Sequence, residues 1–387
     1  EVYLFNPFAE DGKTHRWNPF TYVSSDKNQR VSDLMAIAAM LYPDGDSRDK
    51  FWVSQARNAF LAFALYLYEE AASSQNNRFS RFDNIPNQTK KLEPSTPPCT
   101  LGKLYRLASG NGMELKDYFK QLSVKPFLSE AAKTAFAGLI SQEKETFGSI
   151  MGTFKEPLNP WLNPIIDAAT SGDDFLLTDV RKKKMTIYIG IQPNKLAESR
   201  VIVNLFFSQL INQNTKQLPQ DNQALKHQCL LLMDEFTSIG KVEIIANAVS
   251  YMAGYNLRLF PIIQSVAQLD AVYGKESART IITNHALQII YTPREQQDAN
   301  EYSEMLGYTT VRRQNVSRGR ERSVSISEER RALMLPQELK AMNQDNEIII
   351  YEGMAHPAKV SKIRYYQDKT FGARIKNPIE VEPLQVR

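Results

Sequence analysis

Five consecutive apolar residues, Cys229-Leu230-Leu231-Leu232-Met233, run directly into two carboxylates, Asp234 and Glu235. In open α/β sheets ligands bind outside the carboxyl ends of the strands. An apolar strand ending in an acid pair therefore puts both acids where a ligand sits. One such carboxylate can hold a hydrated Mg²⁺ on phosphate oxygens, and the other can orient and deprotonate an attacking water. The plainer alternative is a buried strand that ends in a solvated acidic turn, and the pattern alone leaves both open. Downstream, Phe260-Pro261-Ile262-Ile263 leads into Gln264 and Ser265. An amide at that strand tip can orient water or sense a γ-phosphate. Its bland counterpart is a helix start capped by Ser265. Asn284, just before another apolar run, carries the same choice between a sensing role and a turn.

The acid strand matches a Walker B pattern, in which the first acid holds Mg²⁺ of a bound nucleotide through water. The companion Gly-x-x-x-x-Gly-Lys-Ser/Thr loop, whose amides and lysine cradle phosphates, is absent. Gly102-Lys103 and Gly240-Lys241 each lack the first glycine and the following Ser or Thr. Either there is no such loop, or it lies upstream of Glu1. The opening Glu1-Val2-Tyr3-Leu4, strand-like and without a start methionine, favours the second, and the chain is expected to be a fragment.

Composition excludes other chemistries. Two cysteines and four histidines do not make a disulfide framework or an imidazole-based metal hydrolase, and the cysteine count fits a reducing compartment. At 42% hydrophobic and 23% charged residues, the 387-residue chain has the balance of a folded protein. No apolar run approaches the ~18 residues of a membrane span. The net charge of +4 is compatible with a polyanionic partner without demanding one.

The elements that must carry these residues follow from periodicity. Residues 2–5 read as a strand. Helices are expected over 31–42 and 51–70. Residues 72–98, rich in Ser, Asn, Gln, Lys and Pro, read as a flexible loop. Thr100 is a candidate N-cap, and further helices are expected near 115–122, 129–142 and 144–158. From residue 185 the period changes. Apolar strands at 185–191, 228–233, 257–263, 286–291 and 347–351 alternate with helices at 200–214, 242–252, 266–273 and 296–306. That alternation predicts an α/β fold with a mostly parallel sheet. Three parts are expected: residues 1–45 begin the sheet domain, 46–172 form an inserted all-α domain, and 173–387 complete the sheet domain with a C-terminal tail. The inserted block is given its own core of Trp52, Phe60, Phe63, Leu67, Leu104, Leu107, Phe127, Phe136 and Phe147.

Several segments together resemble the type IV secretion coupling proteins of the TraG/TraD-like class. They are Leu4-Phe5-Asn6-Pro7-Phe8, Arg16-Trp17-Asn18-Pro19, Phe51-Trp52 with Ala56-Arg57, Leu232-Met233-Asp234-Glu235-Phe236, Ile262-Ile263-Gln264-Ser265 and Met334-Leu335-Pro336. The likeness spans essentially the whole chain. The acid strand followed at the right distance by Ile-Gln-Ser is its most specific part.

That resemblance implies a RecA/FtsK-like motor domain with an inserted all-α domain, a membrane anchor and a Walker A loop, the last two missing here. It implies ATP and Mg²⁺ as cofactors, Asp234 and Glu235 as Walker B, and Gln264 as the residue coupling nucleotide state to a neighbouring subunit. Some members carry a trans-acting arginine near the end of the helix after Walker B. Here Tyr251-Met252-Ala253-Gly254 has none, and Arg258 and Arg294 are the candidates. Arg258 reads equally as a strand-edge surface residue. Two basic clusters are candidates for DNA phosphates in a central channel: Arg181-Lys182-Lys183-Lys184, and Arg312, Arg313, Arg318, Arg320 and Arg322. Solvated loops are the alternative for each.

The function implied is an ATP-driven homo-hexameric motor on the cytoplasmic face of a bacterial inner membrane. It would act on single- or double-stranded DNA and recruit relaxosome, relaxase or effector proteins through the all-α domain. It would work with secretion ATPases and inner-membrane components, and its ATPase would be DNA-stimulated. The fragment itself is expected to be inactive for want of Walker A. The alternatives are a substrate-receptor module without ATPase activity, or an FtsK/HerA-like translocase.

Overall fold

The computed structural model describes residues 1–44, 49–82, 99–318 and 322–385, with side chains described except at 75–82, 314–318 and 322–325. The chain divides into two compact units. The first comprises Glu1–Leu231, Ser238–Leu259 and Ile379–Arg387, and the second Leu232–Thr237 and Phe260–Pro378.

In the first unit, β1 (Val2–Phe5) and β2 (Thr186–Ile189) pair in parallel, Val2 opposite Thr186 and Phe5 opposite Ile189. The helical stretch is inserted between these two strands. It holds α1 (Lys27–Leu41), α2 (Lys50–Phe82), α3 (Leu101–Leu107), α4 (Leu115–Ser123), α5 (Glu130–Ile140), α6 (Lys144–Lys155) and α7 (Pro164–Ala169). Local chemistry sets the helix starts. Asp26 caps α1 through the Asn28 N–H, Thr100 caps α3 through Lys103, and Ser129 caps α5 through Ala132.

Ala56, Ala59, Phe60, Ala62, Phe63, Ala64 and Leu65 are all buried, so α2 is apolar nearly all round and forms the centre of the helical stretch, against α5 and α6. The Phe63 ring meets those of Phe119, Phe136 and Phe154 at 5.0, 5.7 and 5.3 Å. Of the expected core, Phe60, Phe63, Leu67, Leu104, Phe136 and Phe147 are buried, while Trp52, Leu107 and Phe127 are only half-buried. Phe119, Phe154 and Trp161 were not anticipated.

The expected loop over 72–98 is corrected at its start, because α2 continues to Phe82. No Gly or Pro interrupts 72–82, so a helix already nucleated and buried upstream propagates through a polar sequence. Residues 83–98 lie outside the described residues.

The inserted helices and β1 share this unit. Phe20 stacks on Phe60, Tyr68 donates to the Phe20 carbonyl, and the Asn18 amide donates to the carbonyl of Cys99. After β2 comes α8 (Leu196–Asn214), whose Phe206 stacks on Phe5 at 5.6 Å and meets Trp17 edge-on. Then follow β3 (Cys229–Met233), α9 (Glu243–Ala248) and β4 (Leu257–Pro261). β3 pairs with β4. The bonds Cys229 N–H to Asn256 O and Ile262 N–H to Met233 O ascend together, so the pair is parallel.

The second unit contains α10 (Val266–Tyr273), α11 (Lys275–Thr283), β5 (Leu287–Ile290), α12 (Gln296–Leu306), β6 (Tyr308–Arg318), β7 (Arg322–Ala332), α13 (Pro336–Lys340), β8 (Asn346–Tyr351) and β9 (Ala358–Ser361). Ile290, Leu306, Leu339, Met342 and Ile348 form a core there, with Tyr302, Met334 and Ile350 packed on it. The parallel arrangement expected of the sheet holds for β1–β2 and β3–β4. By contrast, β5–β8, β8–β9 and β6–β7 are antiparallel. The β6–β7 hairpin is absent from the sequence reading. Its described side chains are largely exposed on both faces, so it lacks the apolar alternation that marks a half-buried strand. Cross-strand pairs hold it instead. Among the described residues no helix is long and apolar enough to cross a membrane.

Candidate active site

β3 delivers the acid pair to the second unit. Its burial alternates: Leu231 and Met233 are buried, whereas Leu230 and Leu232 are 59% and 57% exposed. The expected fully buried strand is thus covered on one face among the described residues. Asp234 and Glu235 both stand exposed in the turn after it. The Asp234 carboxylate accepts from the Glu235 N–H at 3.1 Å. Glu235 has φ +50°, a left-handed conformation uncommon for a non-glycine residue and concentrated at functional turns.

The next residue reverses direction. Phe236 is fully buried and stacks on Tyr273 with centroids 5.2 Å apart. Its N–H donates to the Ile262 carbonyl at 3.0 Å, and the Ile262 N–H donates back to Met233 at 3.0 Å. Thr237 reaches Gln268 of α10 at 3.5 Å. These ties bring the acid turn beside the end of β4, where Gln264 stands exposed two residues after Ile262. Ser265 takes the cap of α10, accepting from the Gln268 N–H, so Gln264 is not needed for that task.

The donor set suits the cofactor implied by the sequence. Mg²⁺ is a hard cation that keeps several waters and binds through one or two carboxylates together with substrate phosphates. A solvent-facing Asp234 at a strand tip offers that carboxylate. Among the described residues no cluster of three or more His, Cys, Asp or Glu side chains forms an all-protein metal cage.

Sequence reasoning missed Asp298. It lies in the first turn of α12, on the inward stripe with Ala299, Ser303 and Leu306, and is only 4% exposed. Its Oδ2 accepts from the Val266 N–H at 3.4 Å. Burial pushes its carboxyl up to about 6, against the pull of the Val266 N–H, and Glu295 and Glu301 add repulsion. An aspartate on an otherwise inward-facing helix stripe was the available signal.

Other predicted residues have different surroundings. Arg258 donates to the carbonyls of Ala253 and Leu257, a local backbone tie. Arg294 is exposed just before α12. The Asn284 side chain donates to the Thr280 carbonyl at the end of α11, in keeping with its turn reading.

The first basic cluster is corrected at Arg181. Arg181 is 2% exposed and its guanidinium is bonded to Asn214, Gln217 and Tyr255. Lys182 and Lys183 pair with Asp179, and Lys183 also with Glu1. In the second cluster Arg312 faces Glu328 at 3.0 Å and Arg313 reaches Glu329 at 3.4 Å, all exposed. The Arg318 and Arg322 side chains, and Arg320, lie outside the described residues. A cleft of about 1070 Å³ in the first unit, lined among others by Arg16, Arg106, Trp161 and Asp167, holds none of the predicted site residues.

The family model described as "Type IV secretory system Conjugative DNA transfer" matches residues 1–385. The chain belongs to this family. It is 27% identical over 376 residues to protein VirD4 of Rhizobium radiobacter, covering 95% of this chain and 50% of that protein. It is 24% identical over 408 residues to conjugal transfer protein TraG of Escherichia coli, covering 98% of this chain and 61% of that protein. The chain thus spans about half the length of the VirD4 proteins it matches.

Among solved structures, the unbound bacterial conjugative coupling protein TrwB, lacking its first 70 residues, superposes with a TM-score of 0.63 at 16% identity, over 93% of this chain and 73% of that one. That likeness shows the fold, an α/β domain with an all-α part, as the sequence reading expected. The same TrwB has been solved with ADP and Mg²⁺ and with a non-hydrolysable GTP analogue.

Proposed function

We propose that this member of the conjugative DNA-transfer family is the core of an ATP-driven coupling protein that delivers DNA–protein or effector substrates to a type IV secretion channel. The observation carrying this reading is the exposed Asp234–Glu235 pair at the tip of an apolar strand, tied through Phe236 and Ile262 to the strand end that presents Gln264. Asp234 would hold the hydrated Mg²⁺ of a bound nucleotide, which neutralises charge on the phosphates. Glu235 would orient the attacking water and accept its proton, and Gln264 would hold that water or sense the phosphate. The nucleotide complexes of TrwB support the choice of ligand.

The hairpin β6–β7 is the DNA element of this proposal. Ion pairs between exposed groups are worth about 0–1 kcal/mol, so phosphates can take Arg312 and Arg313 from Glu328 and Glu329 at little cost. The inserted helices, residues 46–172, would recruit relaxosome or effector proteins, and six copies would close around DNA at the cytoplasmic face of the inner membrane. Arg258 or Arg294 would act in trans, and Arg294, being exposed, is the better placed. The 387 residues carry no phosphate-cradling Gly-x-x-x-x-Gly-Lys-Ser/Thr. In isolation the chain would therefore hydrolyse ATP negligibly.

The test is made in the intact protein. Asp234→Ala should abolish Mg²⁺-ATP hydrolysis, and Glu235→Gln should bind nucleotide but not turn it over. Unchanged turnover in both variants would remove the assignment.

A further inference from the structure

We infer that Asp298 is a positioning residue: from α12 it pins the far end of the segment that carries Gln264, and so sets where that amide stands beside the acid turn. The inference rests on the nucleotide-site reading above and adds to it a control point in a different helix.

Gln264 lies at the middle of a five-residue bridge, 262–266, that is not itself helix or sheet until Val266. The near end is fixed to the acid turn, because the Ile262 carbonyl accepts from Phe236 and its N–H donates to Met233, both at 3.0 Å. The far end opens α10. There the Val266 N–H is one of the orphan donors of a helix start, and it is taken by the Asp298 carboxylate at 3.4 Å. Ser265 holds only the Gln268 N–H, so it does not duplicate this bond.

A carboxylate is a costly choice for the task. A buried ionised group loses hydration, and a neutral acceptor would satisfy one N–H more cheaply. Negative charge at the start of α10 interacts favourably with its helix dipole, which offsets part of that cost.

The other end of α12 holds the hairpin. Ser303 donates to the Met334 carbonyl at 2.6 Å, and Gly307, just after the helix, accepts from the Leu333 N–H at 2.9 Å. One helix therefore carries the pin on Gln264 in its first turn and the base of the arginine-bearing hairpin at its last.

The test compares Asp298→Ala, Asp298→Asn and Glu235→Gln in the intact protein. It measures kcat, nucleotide affinity and hydrogen exchange of peptides covering 262–268. The Ala variant should lose protection in that segment alone and fall about tenfold or more in kcat, as misplacing a reacting group by about 1 Å can do. Nucleotide affinity should stay within about twofold. The Asn variant, which keeps an acceptor oxygen of the same reach, should recover most of both losses.

Unchanged exchange in 262–268 overturns the pin, whatever the activity. Loosened exchange with unchanged kcat overturns its coupling to hydrolysis, provided Glu235→Gln is inactive. If Glu235→Gln remains active, the nucleotide-site reading falls instead, and the exchange result alone decides the pin. Loss of protection throughout the second unit in both Asp298 variants also overturns the proposal, because the residue would then serve stability rather than position.

Discussion

Replacing Phe236 with leucine should separate the anchoring of the acid turn from its chemistry. Phe236 is fully buried immediately after two exposed carboxylates, and its ring lies at 17° to Tyr273 with centroids 5.2 Å apart. Losing an aromatic pair costs about 0.5–1.5 kcal/mol beyond the buried area. The smaller apolar side chain costs up to about 1 kcal/mol more in imperfect packing. The sum, about 0.5–2.5 kcal/mol, lies well within the ~5–15 kcal/mol stability of a domain, so the variant stays folded. Phe236→Ala, at about 3–5 kcal/mol, would confuse misfolding with mispositioning.

The Leu variant should show a lower urea midpoint with an unchanged m-value, followed by circular dichroism. All three tryptophans, Trp17, Trp52 and Trp161, belong to the first unit, whereas Phe236 belongs to the second. In the intact protein kcat should fall about tenfold. Nucleotide affinity should hold, because neither acid is removed. If the variant is destabilised as expected but turns over at the parental rate, the ring does not position the acids and the reasoning fails. A loss of affinity with kcat unchanged would mean that the turn binds ground state and transition state alike.

Asp298 also gives a pH signature. Its folded pKa of about 6 lies above the ordinary 3.8, so its contribution to stability is complete below pH 3.8 and is lost as pH rises through 6. Glu295 and Glu301 push it in the same direction as burial. Asp298→Asn should therefore melt higher than the parent at pH 8, with the advantage gone by pH 4. A difference in melting temperature that does not change with pH would refute the assignment. Arg312→Ala with Arg313→Ala should lower the slope of log K against log salt for DNA binding by about 1.4–1.8, two phosphates at about 0.7–0.9 each. An unchanged slope would remove both from the interface. Arg181→Met should cost about 1–3 kcal/mol of stability, because it strands the buried Asn214 amide oxygen and two half-buried carbonyls, of Gln217 and Tyr255. DNA affinity should be untouched, and a changed salt slope would contradict the structural role.

Much of this protein is local in origin and could be read from its residues. Thr100 starts α3 where its side chain accepts from the Lys103 N–H, and α8 and α12 follow from apolar spacing. The acid pair at the end of β3 needed only an apolar run and its two successors in the chain. The order of those motifs was specific enough to suggest the family that the comparison later gave.

Pairing and burial, which couple distant residues, were decided only in three dimensions. Arg181 looks like its lysine neighbours until Asn214, Gln217 and Tyr255 converge on it from later in the chain. The hairpin β6–β7 has no burial pattern to betray it, because Arg312 and Glu328 make sense only when opposite one another. α2 outruns its own composition because its buried half has already met the cost of nucleation. In sequence Asp298 shows only as an acid among the apolar positions of a helix that is otherwise polar. It becomes a pin for Val266 because folding turns that face inward and brings α10 to meet it. The chain states which groups are available, and only packing decides which of them face water and which face one another.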